Sequence, residues 1–314
     1  MNRTALIIGG VVALICGCGR PPHTEPPATS TAAPLAVVVD TIISGEILGQ
    51  TMKQPTGLAI DAGGNLIVSD AGNHRVVRFT SALVPETEVG GYGTQAGLFI
   101  RPGYMVVDAS GMRVVDEGNK RICRLDKQLR YVDQINFSDL DNPLDYGTPA
   151  GVAIDRSGYI WVTDREKSRV VVYDVVGQFN RFIAEYGYSG GALSSPEKVM
   201  GVQSGDHVIC DAGNHRIVIY DQYGNYDRAI TDMEFQSPVA VSIDRDGRFW
   251  ILDQKAGRIF VFSPTGARLL AVGPDIPGGG RMLSAPSDIV VDGERVIVAD
   301  TGNDRILICR GLSQ

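Results

Sequence analysis

The chain has 314 residues, 29 Lys and Arg against 36 Asp and Glu, a formal charge of −7 and a pI near 5.2. The acidic balance opposes a nucleic-acid binder, which needs a clustered basic excess. Apolar residues make up 44%, with 38 glycines and 16 prolines, which describes a turn-rich globular β protein and excludes collagen, coiled coil, a polytopic membrane protein and a small disulfide scaffold.

Residues 1–17 read as an address rather than as structure. Arg3 precedes an apolar stretch from Ala5 to Ile15, too short to cross a ~30 Å hydrocarbon core as a helix but suited to a signal peptide. Ile15-Cys16-Gly17-Cys18 resembles a bacterial lipobox, and the resemblance implies lipidation of Cys18 and cleavage before it. Each buried CH₂ of an acyl chain adds ~0.8 kcal/mol, so several chains hold durably. Cleavage removes one cation and no acid, moving the formal charge from −7 to −8. The proline-rich stretch 18–36 reads as a semi-rigid tether. The expectation is a lipid-anchored envelope protein, on the outer membrane facing the periplasm or at the cell surface. Cys123, Cys210 and Cys309 fall within apolar β-like runs and read as buried free thiols.

The rest, 37–314, is repetitive. Six segments open at Pro55, Pro102, Pro149, Pro196, Pro238 and Pro286, each with an apolar run, a turn and a second run ending in aspartate. An arginine follows five residues later in every copy: Asp70 and Arg75, Asp116 and Arg121, Asp164 and Arg169, Asp211 and Arg216, Asp253 and Arg258, Asp300 and Arg305. In the first copy, Pro55–Asp61 and Asn65–Asp70 are strand-like, Ala62-Gly63-Gly64 is a turn, and Arg75–Phe79 is a third strand after a tight loop suited to positive φ. With a weaker fourth strand, each copy is an antiparallel meander that must stack on its neighbours to bury both faces. Period and strand number suit an all-β, six-bladed β-propeller of four-stranded blades. The last copy stops after its third strand, and Val37–Ile43 is an unassigned β-branched run; together they predict that the N-terminal strand completes the last blade and closes the ring.

Asp70-Ala-Gly-Asn-His-Arg-Val76 and Asp211-Ala-Gly-Asn-His-Arg-Ile217 resemble the core of the NHL repeat, with close variants at Glu117–Ile122 and Thr301–Ile306. Blades three and five keep Asp and Arg but replace Gly-Asn with Glu166-Lys167 and Lys255-Ala256. The resemblance implies a propeller scaffold. The repeated Asp and Arg read as structural: the carboxylate accepts loop amides and the arginine pairs with it.

Function is sought where the blades differ. The second residue after each proline runs Gly57, Tyr104, Gly151, Lys198, Ala240, Asp288, and the residue before it Thr56, Gly103, Ala150, Glu197, Val239, Ser287. Tyr104, Glu197, Lys198 and Asp288 therefore form the expected ligand-binding cluster at the channel mouth. No catalytic or metal residues are assigned. Gly187-Tyr-Ser-Gly-Gly191 lacks the helix a nucleophile elbow requires, and Gly278–Gly280 lacks a phosphate-loop lysine. His74 and His215 sit in equivalent loops of blades one and four, and His207 falls in a different turn, so no zinc site follows. Ca²⁺ at Glu197 and Asp288 is the one cofactor these residues suggest. The expected function is a monomeric, non-catalytic binding or scaffold propeller with a protein, peptide or glycan partner and no nucleic acid; the alternative is a metal-dependent lyase or lactonase with a site on the channel axis.

Overall fold

The computed structural model describes residues 36–137, 145–184 and 190–312. The expected signal peptide, the lipidated Cys18 and nearly all of the tether lie outside the described residues. Ala36, expected as the end of the tether, instead opens the first strand, Ala36–Ile43.

Six four-stranded antiparallel sheets follow one another around a ring. In blade one the strands are Pro55–Ile60, Leu66–Asp70, Arg75–Phe79 and Pro85–Gly90, paired in chain order. The first strands of successive blades touch each other all the way round and so line the axis. In blade six the first strand, Asp288–Asp292, starts two residues later than its proline suggests. Its third strand, Arg305–Leu312, pairs antiparallel with Ala36–Ile43, from Ala36 opposite Leu312 to Ile43 opposite Ile306, with a bulge between Val39 and Thr41. The ring is closed by both ends of the described chain, in the arrangement the sequence predicts. Among the described residues, no helix is long and apolar enough to cross a membrane.

Packing follows from strand alternation, which sends successive side chains to opposite faces. In Leu66–Asp70, Leu66 and Val68 point into the cluster shared with blade six, and Ile67 into the one shared with blade two. The described core divides into six such clusters, one between each pair of neighbouring blades. A fully buried aliphatic or aromatic side chain contributes roughly 1.5–3 kcal/mol, so no blade is stable without both neighbours. Cys123, Cys210 and Cys309 are free and buried within these clusters. His207 is not in a turn; it opens the second strand of blade four and stacks on Trp161.

The Asp–Arg repeat fastens each blade to the segment that leads into it. Asp70 Oδ1 accepts the Lys53 N–H at 2.8 Å, and Oδ2 accepts Asn73 Nδ2 and Arg75 Nε, both at 2.8 Å. Arg75 also donates to the carbonyls of Ile47 at 3.0 Å and Gln50 at 3.2 Å. The same set recurs at Asp116, Asp211 and Asp300, whose Oδ1 atoms hold the amides of Ile100, Ser194 and Ser284, each two residues before its proline. Gly72 donates to the Lys53 carbonyl at 2.9 Å, and a Cβ there would lie 2.8 Å from that same oxygen. The loop glycine therefore serves close approach. Positive φ belongs instead to the residue before the arginine, such as His74 at 56° and His215 at 54°.

Blades three and five, which lack the asparagine, compensate with backbone. Lys167 N–H bonds Asp164 at 3.1 Å and Ala256 N–H bonds Asp253 at 2.9 Å. Arg169 Nε lies 3.6 Å from Asp164, and its guanidinium stacks on Phe182. Arg258 departs from the expected pairing with Asp253: it turns to Glu234 at 2.5 Å, and three backbone amides bond the Asp253 carboxylate.

A chain lacking residues 1–43 should leave the Arg305–Leu312 edge unpaired and the blade six core open. Self-association on size-exclusion chromatography and a lower unfolding midpoint are expected. A monomer with an unchanged midpoint would count against closure by this strand.

Candidate functional site

At the end of the ring where the first strands begin, a cup of about 390 Å³ opens on the axis. Every blade contributes to it: Thr56 and Ala71 from blade one, Tyr104 and Glu117 from two, Ala150 and Arg165 from three, Glu197 from four, Val239 and Gln254 from five, Ser287 and Thr301 from six. Arg101, just before blade two, completes the rim.

The four residues expected at the mouth separate into two levels. Glu197 and Tyr104 line the cup. Lys198 and Asp288 do not: both are buried, and they meet across the axis with Lys198 Nζ 2.6 Å from Asp288 Oδ1. The sequence reading set them in the ligand-binding cluster at the channel mouth; the structure places them off the cup's lining, in contact with each other. The carboxylate also accepts the amides of Leu58 and Ile289, each at 2.8 Å, and Lys198 donates to the Ile289 carbonyl at 3.1 Å. Burial pushes the Asp288 carboxyl above its usual range, opposed by Lys198. Tyr104 spans from blade two to blades five and six, donating its hydroxyl to the carbonyls of Val239 at 3.0 Å and Ser287 at 2.9 Å. Burial holds its phenol well above the ordinary value. Tyr104 thus ties blade two to the opposite blade five, and the Lys198–Asp288 pair ties blade four to blade six, which are not neighbours.

The small residues of the same register explain how these long ones fit. A Cβ on Gly57 would lie 2.1 Å from the Gly103 carbonyl oxygen, and one on Gly151 would lie 2.6 Å from that of Glu197. Side-chain volume alternates around the axis because adjacent inner strands leave no room for two large neighbours.

Glu197 belongs to an ionic wall that the sequence reading did not assemble. Arg165 Nε and Nη2 bind the two oxygens of Glu197 at 2.7 and 2.8 Å, and Nη1 binds Glu117 at 2.6 Å. Burial raises the Glu197 carboxyl, and Arg165 counters it. Burial works to lower Arg165, but the two carboxylates outweigh it and hold the guanidinium above its ordinary value. Glu117 and Arg165 both directly follow the repeated aspartate. That position runs Ala71, Glu117, Arg165, Ala212, Gln254, Thr301, and this second variable column was the available signal.

The hydroxyls of the cup are engaged with backbone: Thr56 Oγ1 donates to the Pro102 carbonyl at 2.8 Å, and Thr301 Oγ1 to that of Pro55 at 2.7 Å. Ser287 Oγ donates to the Thr56 carbonyl at 2.8 Å. Among the described residues no group of three or more His, Cys, Asp or Glu is placed to hold a metal. Glu197 and Asp288 do not fit a shared Ca²⁺ site, since each faces its own cation.

This architecture defines the class: a closed six-bladed β-propeller with a polar axial cup. The NHL repeat model matches residues 52–79 and 147–173, so this six-bladed propeller carries NHL repeats in blades one and three. A search of curated proteins returned no match. Among solved structures, the chain is similar to a streptogramin B lyase, with TM-score 0.63 and 14% identity, covering 90% of this chain and 89% of that one. It is similar to a catalytically inactive virginiamycin B lyase from Staphylococcus aureus with quinupristin, with TM-score 0.62 and 16% identity, covering 85% and 84%. A protein of unknown function from Bacteroides thetaiotaomicron gives TM-score 0.66 and 14% identity, covering 87% and 73%. At these identities the shared property is the fold.

Lys198→Met should strand a fully buried carboxylate and cost about 3–5 kcal/mol at pH 7. Asp288 already titrates above its unfolded value, so protonation favours the folded state. The deficit should therefore shrink as pH falls from 7 toward about 5. Urea midpoints across that range check the effect; equal midpoints for variant and wild type at pH 7 would remove the tie from the account.

Proposed function

We propose that this protein is a lipid-anchored, non-catalytic binding module of the bacterial cell envelope, on the outer membrane facing the periplasm or at the cell surface. Its cup takes a group presented by a protein, peptide or glycan partner, and it works as a monomer without nucleic acid. The lipobox-like Ile15–Cys18 and the proline-rich stretch after it support the anchor.

One observation carries the binding reading: apart from Arg101, the ionisable groups of the cup are committed to partners within the protein. Arg165 is clamped by Glu117 and Glu197, and the Tyr104 hydroxyl is committed to two carbonyls. The hydroxyls donate to backbone carbonyls and no histidine lines the cup, so a nucleophile with an adjacent base is missing among its lining residues. Arg101 and the Gln254 amide carry no side-chain hydrogen bond within the described structure, which leaves them to meet a ligand's acceptors. A preformed concave site with a few oriented polar groups suits recognition.

Glycan and peptide arrays probed with the purified protein test this. Arg101→Ala and Gln254→Ala should each weaken binding about tenfold, the loss of one hydrogen bond to a charged or polar ligand, with unchanged unfolding midpoints. Cys18→Ala should abolish palmitate labelling and release the protein from membranes. Stoichiometric calcium or zinc in the purified protein would instead favour a metal-dependent propeller enzyme, and unlabelled wild type would refute the anchor.

A further inference from the structure

A cleft of about 250 Å³ opens between blades three and four, at the strand ends opposite the cup. Blade three lines it with the turn at 155–159, between the strands Pro149–Ile154 and Ile160–Asp164, and with Arg181 on its outer strand, Phe179–Ile183. Blade four adds Gly205 and the turn residues Gln222 and Tyr223.

The arginines here are left free where a counterpart is used. Arg181 stands opposite Val172 in its sheet, as Arg228 stands opposite Ile219 in blade four. Arg228 donates to the Pro264 carbonyl at 3.1 Å, in the turn between the third and fourth strands of blade five. The equivalent turn residue in front of Arg181 is Gln222, and no such bond forms: Arg181 Nη1 donates at 2.7 Å to Asn180 beside it. Its guanidinium carbon lies 5.8 Å from the Trp161 ring centroid, and Trp161 in turn stacks on His207 with centroids 3.5 Å apart. Among the described residues Arg181 has no carboxylate partner, and Arg156 has neither a hydrogen bond nor an ion pair.

The charge around them is unbalanced. Asp155 is the one carboxylate of the lining, and it is engaged: Oδ1 accepts the amides of Ser157 at 2.8 Å and Tyr159 at 2.9 Å, and Oδ2 accepts Trp161 Nε1 at 3.3 Å. Asp206 and Asp221 stand nearby but do not line the cleft, and they bind groups of their own turns. His207 adds no charge at neutral pH, because burial depresses it to about 4. Two arginines against one carboxylate therefore face the opening. A guanidinium with an unused fork matches a carboxylate. Tyr223 is exposed and offers a flat amphipathic ring, and Tyr159 and Gln222 supply neutral hydrogen-bonding groups. The volume falls below the roughly 300–1,000 Å³ of drug-sized sites, which suits a single sugar ring.

We propose that this cleft binds an acidic sugar, a pyranose carrying a carboxylate as in a uronic acid. The carboxylate takes the N–H groups of Arg181 and Arg156, the ring lies against Tyr223, and the hydroxyls meet Tyr159 and Gln222. The site is separate from the axial cup and does not depend on the function proposed for it.

Calorimetric titration of the full chain with glucuronate, together with amide shifts, tests the proposal. Saturable one-to-one binding is expected, with shifts around Arg156, Gly205 and Tyr223. Glucose, which lacks the carboxylate, and inorganic phosphate, which lacks the ring, should each bind at least about tenfold more weakly. Arg156→Ala and Tyr223→Ala, both at exposed positions, should each weaken binding at an unchanged melting temperature, and Arg181→Gln should abolish it. Absence of saturation, equal affinity for glucose or phosphate, undiminished binding by both exposed-site variants, or shifts confined to the cup around Glu197 would each overturn it. Should Arg181→Gln fail to fold, the three probes and the two exposed-site variants still decide.

Discussion

The pairing of Ala36–Ile43 with Arg305–Leu312 is the contact on which the rest of the molecule depends. A propeller blade buries its faces only against other blades, so an open array would expose an apolar face at each end. Joining the two chain ends in one sheet makes the six interfaces continuous. Val37 and Cys309 then pack toward blade five, and Ile43 and Ile306 toward blade one. Closure also brings blade six against blade one, where Asp288 accepts the Leu58 amide at 2.8 Å.

Within that ring the Asp–Arg pair controls where each blade begins. Its carboxylate grips an amide before the proline, its arginine grips carbonyls of the same connection, and the glycine lets the loop lie against that connection. The charges are spent on architecture because they are buried and mutually satisfied; a buried ion left alone would be strongly destabilising. Blades three and five show that the carboxylate is the constant and that asparagine or backbone amides can serve as its partners.

The axis has a different economy of space. Inner strands converge so closely that Gly57 and Gly151 admit no side chain, and the freed volume goes to Tyr104, Lys198 and Asp288. These plug the centre and turn what would be a channel into a cup. The cup's walls are then set by the loop position after the repeated aspartate, where Glu117 and Arg165 join Glu197. The cup and the ties beneath it thus occupy neighbouring layers of one axis, and a residue one place along an inner strand changes layer because alternate side chains point to opposite sides.

The period, the blade number, the order of the strands and the closing strand were legible in the sequence, since they rest on local signals: proline starts, strand alternation, a fixed aspartate-to-arginine spacing and an unpaired run at each end. The position of Tyr104 and Glu197 near the axis was legible for the same reason. Tertiary structure alone decided that Lys198 and Asp288 are an internal tie, that Arg258 turns to Glu234, and that Glu197 shares Arg165 with Glu117. Those outcomes depend on side-chain length measured across neighbouring or opposite blades, and a linear pattern carries no distance between segments until the ring has closed.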